Sequence, residues 1–250
     1  MRLFPIRSSH SKAVKRTVLA LLLLSGLNVQ AATIIALFNG ELTSEAIQRD
    51  VGDGAGFVDT TTGEFSFTIT GGTAGTGLAT TFLAFCIEPR EFVSPGSTYT
   101  YTLNPLSAGT TNIGGMGATK AGELAELFGR YYPDFSVTLD AQHASALQIA
   151  AWEIVRENSG TLNVLTGNVE YRNAADPAAL TLAQTYLSSL NGTGPKLTDV
   201  YALTQVGAQD VIVQIRGASI TSTPEPITSA TVGIAMLAIA FALSKRSRVR

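Results

Sequence analysis

An apolar segment near each end of the 250-residue chain limits the region that can fold as a soluble domain. Residues 1–16 carry five basic residues and no acidic one, and the mainly apolar run 18–27 follows, which is the pattern of a secretory signal peptide. Because Val29 and Ala31 stand where a signal peptidase reads its site, we predict a cleaved signal peptide at 1–31. The apolar run is too short to cross a membrane, which disfavours an N-terminal membrane helix.

The C-terminal segment has the composition of a membrane anchor. Residues 227–243 are apolar apart from three hydroxyl side chains, and four basic residues follow. This length is at the lower limit for a spanning helix, and the positive-inside rule would keep the basic tail in the cytoplasm. We therefore expect an exported domain at 32–216, a linker at 217–226, a transmembrane anchor at 227–244 and a cytoplasmic tail at 245–250.

The charge of the region between the two segments excludes one class of partner. Residues 32–223 hold eight of the 17 basic residues and 18 of the 19 acidic residues, a formal charge of −10, although the whole chain carries −2. Such a surface repels phosphate backbones, so we expect no nucleic-acid binding.

Periodicity in the exported region predicts an α+β fold. Apolar and polar residues alternate in residues 63–70 and 97–103, two of the predicted strands, and Gly-rich turns separate the strand-like runs. A helical zone follows, with Asp140 as the N-cap of its second helix and Pro177 opening its third. Strand, helix and strand zones in this order predict an antiparallel β-sandwich or barrel with a central helical segment. The predicted strands are 33–38, 63–70, 80–87, 97–103, 199–204 and 210–216, and the predicted helices are 120–131, 140–157 and 176–190.

The single cysteine, Cys86, has no internal disulfide partner in a chain bound for an oxidising compartment. Its apolar strand allows a buried, inert thiol. A nucleophile paired with His143, the only exported histidine, and an intermolecular disulfide remain as alternatives. Two such residues are too few for a zinc site, and we expect neither a metal nor another cofactor.

A fourth alternative joins Cys86 to Gln148 in an internal thioester. This bond needs a thiol, a carboxamide, close packing that excludes water, and a route for the proton. Gln148 lies on the apolar stripe of its helix, and Trp152, one turn further on, could shield the bond. The sequences Phe85-Cys86-Ile87 and Leu147-Gln148-Ile-Ala-Ala-Trp152 resemble the paired motifs of the bacterial thioester domains. The resemblance covers residues 79–157 and implies a Cys86–Gln148 cross-link supported by Phe85 and Trp152, and we place His143 beside them.

A second resemblance lies at the C-terminus. Pro224-Glu225-Pro226, an apolar segment and a basic tail, in this order, resemble the PEP-CTERM sorting signal. The resemblance implies recognition by an exosortase, a membrane enzyme of Gram-negative bacteria that make exopolysaccharide. The alternative is a plain membrane anchor whose linker is stiffened by the two prolines.

Together these observations favour an exported protein of the cell envelope, anchored at its C-terminus and then retained or released to the surface or matrix. Our first hypothesis is a surface or matrix protein whose thioester captures an amine or hydroxyl group on a partner, once per molecule and without enzyme turnover. The second is a non-covalent structural protein of the envelope or biofilm matrix. An exported Cys86–His143 hydrolase is the third.

Overall fold

Six antiparallel β-strands close into a barrel in the computed structural model, which describes residues 32–109, 115–158, 160–172 and 177–216. Around the barrel the strands follow the order β1, β2, β3, β7, β6 and β4, and β4 pairs with β1 to close the ring. A short further strand, β5, pairs with the end of β1. The strands are β1 Thr33–Asp50, β2 Val58–Gly72, β3 Thr81–Cys86, β4 Thr98–Pro105, β5 Glu170–Arg172, β6 Val200–Thr204 and β7 Val211–Gln214.

The barrel interior is filled by aromatic side chains from neighbouring strands. Phe67 of β2 is fully buried and packs between Phe38 of β1 and Phe82 of β3, with ring centroids 5.0 and 5.3 Å apart. Aromatic pairs at these separations add about 0.5–1.5 kcal/mol each beyond their burial. Phe65 and Phe67 of β2 both face the core, as predicted, but Glu64 and Ser66 are buried as well, so both faces of this part of the strand are covered.

Strand β1 is much longer than predicted because irregular pairing lets it continue past the apolar run 33–38. Its register with β2 shifts on both sides of Gly40, whose φ of +121° favours glycine. At Gly63 of β2 a Cβ atom would lie 1.9 Å from the carbonyl oxygen of Thr43, so only glycine permits the two strands to approach there. The extension carries Arg49 to the edge of the helical segment.

Within the described ranges, three α-helices cover the barrel: α1 Gly117–Tyr131, α2 Ala141–Arg156 and α3 Pro177–Ser189. The Asp140 side chain accepts the backbone N–H of His143 at 2.9 Å, which confirms the predicted N-cap of α2. Every residue from 144 to 156 is buried, because α2 packs against β1, β2, α1 and α3. The prediction of one apolar face on α2 was therefore too narrow. Thr62 of β2 and Ser145 of α2 share a buried hydrogen bond of 2.5 Å.

The predicted α+β class is confirmed. Of the two predicted alternatives, the closed ring of strands is a barrel and not a sandwich. The sequence missed β5 and a 3₁₀ turn at Leu106–Ala108, and α1 begins three residues earlier than predicted. The predicted signal peptide, linker, anchor and tail all lie outside the described residues. Within the part of the chain that the structure describes, no helix is long and apolar enough to cross a membrane.

Candidate functional site

Cys86 is the last residue of β3, at the point where the strand loses one of its neighbours. It pairs with Val211 of β7 on one side. On the other side β2 accompanies β3 only as far as the pair Phe65–Ala84, because β2 then follows β1. The Cys86 side chain is fully buried, and the backbone N–H of Glu88 donates a hydrogen bond of 3.3 Å to its sulfur.

The side chain of Gln148 replaces the missing strand neighbour. Its Oε1 accepts the backbone N–H of Cys86 at 2.9 Å, and its Nε2 donates to the backbone carbonyl of Cys86 at 2.6 Å. These two bonds satisfy a carboxamide that is only 1 % exposed, as a buried amide requires. The prediction that Gln148 is buried is confirmed, and the carboxamide is held against the residue that carries the thiol.

Trp152 lies one turn after Gln148 on α2 and is buried beside the thiol. Its indole N–H lies close enough to the sulfur to lower the pKa of Cys86, although the geometry falls short of a full hydrogen bond. The guanidinium of Arg49 covers the indole ring, with Cζ 4.6 Å from the ring centroid. Trp152 is therefore enclosed between the thiol and a buried cation.

Burial dominates the electrostatics of the thiol. Desolvation raises the pKa of Cys86 to about 12, and the opposing effects of the Trp152 and Glu88 N–H groups and of Arg49 are smaller. A free thiol at this position stays protonated at neutral pH. Burial also raises the pKa of Glu88, two residues further on, and one of its carboxyl oxygens, Oε2, has no hydrogen-bond partner among the described residues.

Sequence reasoning missed the charged residues around Cys86. Arg49, Glu88 and Arg156 are all buried, and burial lowers the pKa of both arginines. Arg156 donates a 2.6 Å hydrogen bond to the backbone carbonyl of Val51. One signal was available in the sequence: Glu88 directly follows the predicted apolar strand 80–87, and a charged side chain is rarely buried unless it is paired. Arg49 follows a polar stretch of sequence that gave no such signal.

Phe85 and His143, the other two residues predicted to support the bond, have different neighbours from Trp152. The Phe85 ring packs against Phe128 and Tyr132, with centroids 5.3 and 5.7 Å away, and so holds β3 against α1. His143 lies in the first turn of α2 with its side chain about half exposed, and its Nδ1 pairs with Asp140 at 2.8 Å. Among the hydrogen bonds of the described residues, none joins His143 to the buried pair.

Taken together, Cys86, Gln148 and Trp152 form a buried site with a thiol, a hydrogen-bonded carboxamide and an aromatic cover. Within the described residues, no group of three or more His, Cys, Asp or Glu side chains is arranged to hold a metal ion. The sorting residues Pro224, Glu225 and Pro226 lie outside the described ranges. Comparison with protein-family models finds no match, and comparisons with curated proteins and with solved structures find none either.

Proposed function

We propose that this domain forms an internal thioester between the sulfur of Cys86 and the side-chain carbonyl carbon of Gln148. The observation that carries the proposal is the pair of hydrogen bonds that holds the Gln148 carboxamide on the backbone of Cys86. In the reaction a sulfur–carbon bond forms and the carbon–nitrogen bond of the carboxamide breaks. The thiol proton goes to the departing nitrogen, which leaves as ammonia.

Two features of the site favour this chemistry. The N–H of Cys86 points at Oε1 of Gln148, the atom that takes up negative charge when sulfur attacks, and so stabilises the tetrahedral intermediate. Because both groups are already in place and water is excluded, attack by the neighbouring sulfur is favoured over hydrolysis. The high pKa of the thiol means that attack has to be coupled to removal of its proton.

The product would act as a covalent attachment point. An amine or hydroxyl group of a partner attacks the acyl carbon, is joined to Gln148, and releases Cys86 as a thiol. Each molecule reacts once, so the protein is a cross-linker and not an enzyme. The proposed setting is the cell envelope, reached through the signal peptide at 1–31 and sorted by an exosortase at Pro224-Glu225-Pro226, with the anchor at 227–244.

One observation favours a second candidate, a non-covalent structural protein of the envelope or matrix. Cys86 is fully buried and its thiol has a raised pKa, which also describes an inert cysteine in a core. In that case the Gln148 carboxamide serves only to complete the hydrogen bonding at the end of β3. A Cys86–His143 hydrolase has less support, because the half-exposed His143 side chain makes no hydrogen bond to Cys86 among the described residues.

Peptide mass measurement separates these candidates. We expect the freshly purified full-length protein to lack one ammonia across the Cys86 and Gln148 peptides and to show no free thiol. Methylamine should then release the thiol of Cys86 and leave Gln148 as its methylamide. Cys86→Ala and Gln148→Ala should show the plain sequence mass and take up no amine, whereas His143→Ala should behave as wild type. Wild-type protein with the full sequence mass and a free Cys86 thiol after unfolding would reject the thioester.

A further inference from the structure

Arg49 is a buried cation that contacts the elements enclosing Cys86. Its side chain is 1 % exposed, at the end of β1, and its Nη1 donates to the backbone carbonyl of Pro89 in the loop after β3. Its Cζ lies 4.6 Å from the Trp152 ring centroid and 5.7 Å from that of Phe92 in the same loop. One guanidinium therefore joins β1, α2 and the loop 87–97.

The buried guanidinium of Arg49 needs compensating contacts, because burying a charge is costly. Removing a charge from water is unfavourable unless other groups compensate for it. Among the described residues no carboxylate lies within ion-pair distance of Arg49, and its Nε has no hydrogen-bond partner. Its direct contacts are thus the Pro89 carbonyl and the faces of two aromatic rings, one buried and one exposed, and at longer range Asp53 and Glu88 also favour its charged form. A cation over an aromatic face is held more strongly when both are desolvated.

Phe92, Arg49 and Trp152 follow one another from the exposed surface to the thiol. Phe92 is 64 % exposed, Arg49 and Trp152 are each 1 % exposed, and Trp152 borders Cys86. Phe92, Arg49 and Trp152 thus form a continuous series of contacts from the exposed surface to the sulfur. If Arg49 were removed, Trp152 and the loop would lose the group that holds them together.

We propose that Arg49 is a positioning residue that keeps Trp152 and the loop 87–97 closed over the Cys86–Gln148 bond, with Phe92 as the outer cover. This inference rests on the proposed thioester. It assigns to Arg49 the control of water access: with the guanidinium in place the acyl–sulfur bond persists until a partner's nucleophile reaches it, and without it the bond hydrolyses. Hydrolysis adds water across the bond, converting Gln148 to glutamate and returning the Cys86 thiol.

The test compares Arg49→Met with Arg156→Met in the full-length protein. Both variants lose a buried guanidinium, but the described contacts of Arg156 are with the Val51 carbonyl and not with Trp152. We expect Arg49→Met to hydrolyse about fivefold faster or more, and Arg156→Met to stay within about twofold of wild type. Trp152 is the sole tryptophan, so its fluorescence should shift to the red and its quenching by acrylamide should rise only in Arg49→Met.

Two further variants keep the inference testable if Arg49→Met does not fold. Phe92→Ala removes an exposed ring and should raise acrylamide quenching and hydrolysis to a smaller extent. Arg49→Lys retains the charge, and its hydrolysis rate and acrylamide quenching should lie between those of wild type and Arg49→Met. A thioester that hydrolyses at the wild-type rate in both Arg49 variants, with unchanged Trp152 quenching, would overturn the role of Arg49 alone. Full sequence mass in the wild-type protein would instead reject the thioester itself.

Discussion

The carboxamide of Gln148 pairs with the backbone of Cys86 as a strand neighbour would, accepting its N–H at 2.9 Å and donating to its carbonyl at 2.6 Å. This pairing links the end of a barrel strand to the middle of the most buried helix. It completes the hydrogen bonding of β3 where β2 departs from it, and it fixes the carboxamide beside the thiol. The same contact therefore serves the fold and the proposed chemistry.

Replacing Gln148 separates these two roles. Gln148→Glu keeps the shape of the side chain but has no amide nitrogen to release, so we expect no loss of ammonia and a thiol that titrates after unfolding. Gln148→Ala leaves the N–H and carbonyl of Cys86 without this partner, which should lower the free energy of unfolding by about 1–3 kcal/mol. Urea denaturation of both variants measures the difference. Equal mass loss in Gln148→Glu and wild type would contradict the assignment of the acyl group.

The reactivity of Cys86 in Gln148→Ala should follow the raised pKa of the buried thiol. With a pKa of about 12, roughly one molecule in ten thousand carries a thiolate at pH 8. We expect alkylation by iodoacetamide to be very slow in the folded protein, to accelerate as the pH rises toward 12, and to be fast in urea. Equal rates in the folded and unfolded protein at pH 8 would show that the thiol is not protected.

Glu153 should make stability depend on pH. Burial raises the pKa of its carboxyl from 4.5 to about 8, so the folded state favours the protonated form. The resulting stabilisation is fully present below pH 4.5 and is lost as the pH rises through 8. From pH 4.5 to pH 8 the free energy of unfolding of wild type should fall by on the order of a few kcal/mol more than that of Glu153→Gln, whose amide mimics the neutral acid. Urea titrations at pH 5 and 8 measure this, with Glu41→Gln, at an exposed carboxylate, as the matched control. Parallel pH profiles for wild type and Glu153→Gln would contradict the assignment.

The C-terminal sorting prediction concerns residues outside the described ranges and is tested in cells. In a host with an exosortase, replacing Pro224, Glu225 and Pro226 by Ala should leave the uncut precursor in the membrane fraction. The mature wild-type protein should begin at Ala32. Immunoblots of fractionated cells and N-terminal sequencing provide the two measurements. Normal processing of the triple variant would favour a plain anchor.

Much of the local structure was predictable from residue patterns. The burial of Phe65 and Phe67 in β2, the N-cap at Asp140 and the Pro177 start of α3 are all confirmed, because each depends on neighbours within a few residues. Strand β5 escaped prediction because three residues show no periodicity. The length of β1 escaped it because the extension is held by pairing with β2 and not by an apolar pattern of its own.

The sequence alone determined which side chains offer chemistry: one thiol, and one carboxamide on an apolar helical stripe with a tryptophan one turn away. Only the tertiary structure decided that the carboxamide lies on the backbone of Cys86, and that Arg49, which is 152 − 49 = 103 residues before Trp152 in the chain, covers the Trp152 ring. The physical reason is that the periodicity of apolar residues shows which side chains are buried but not which residues they contact. Barrel closure and the burial of a charge depend on contacts between distant segments, and these exist only once the strands and helices have packed.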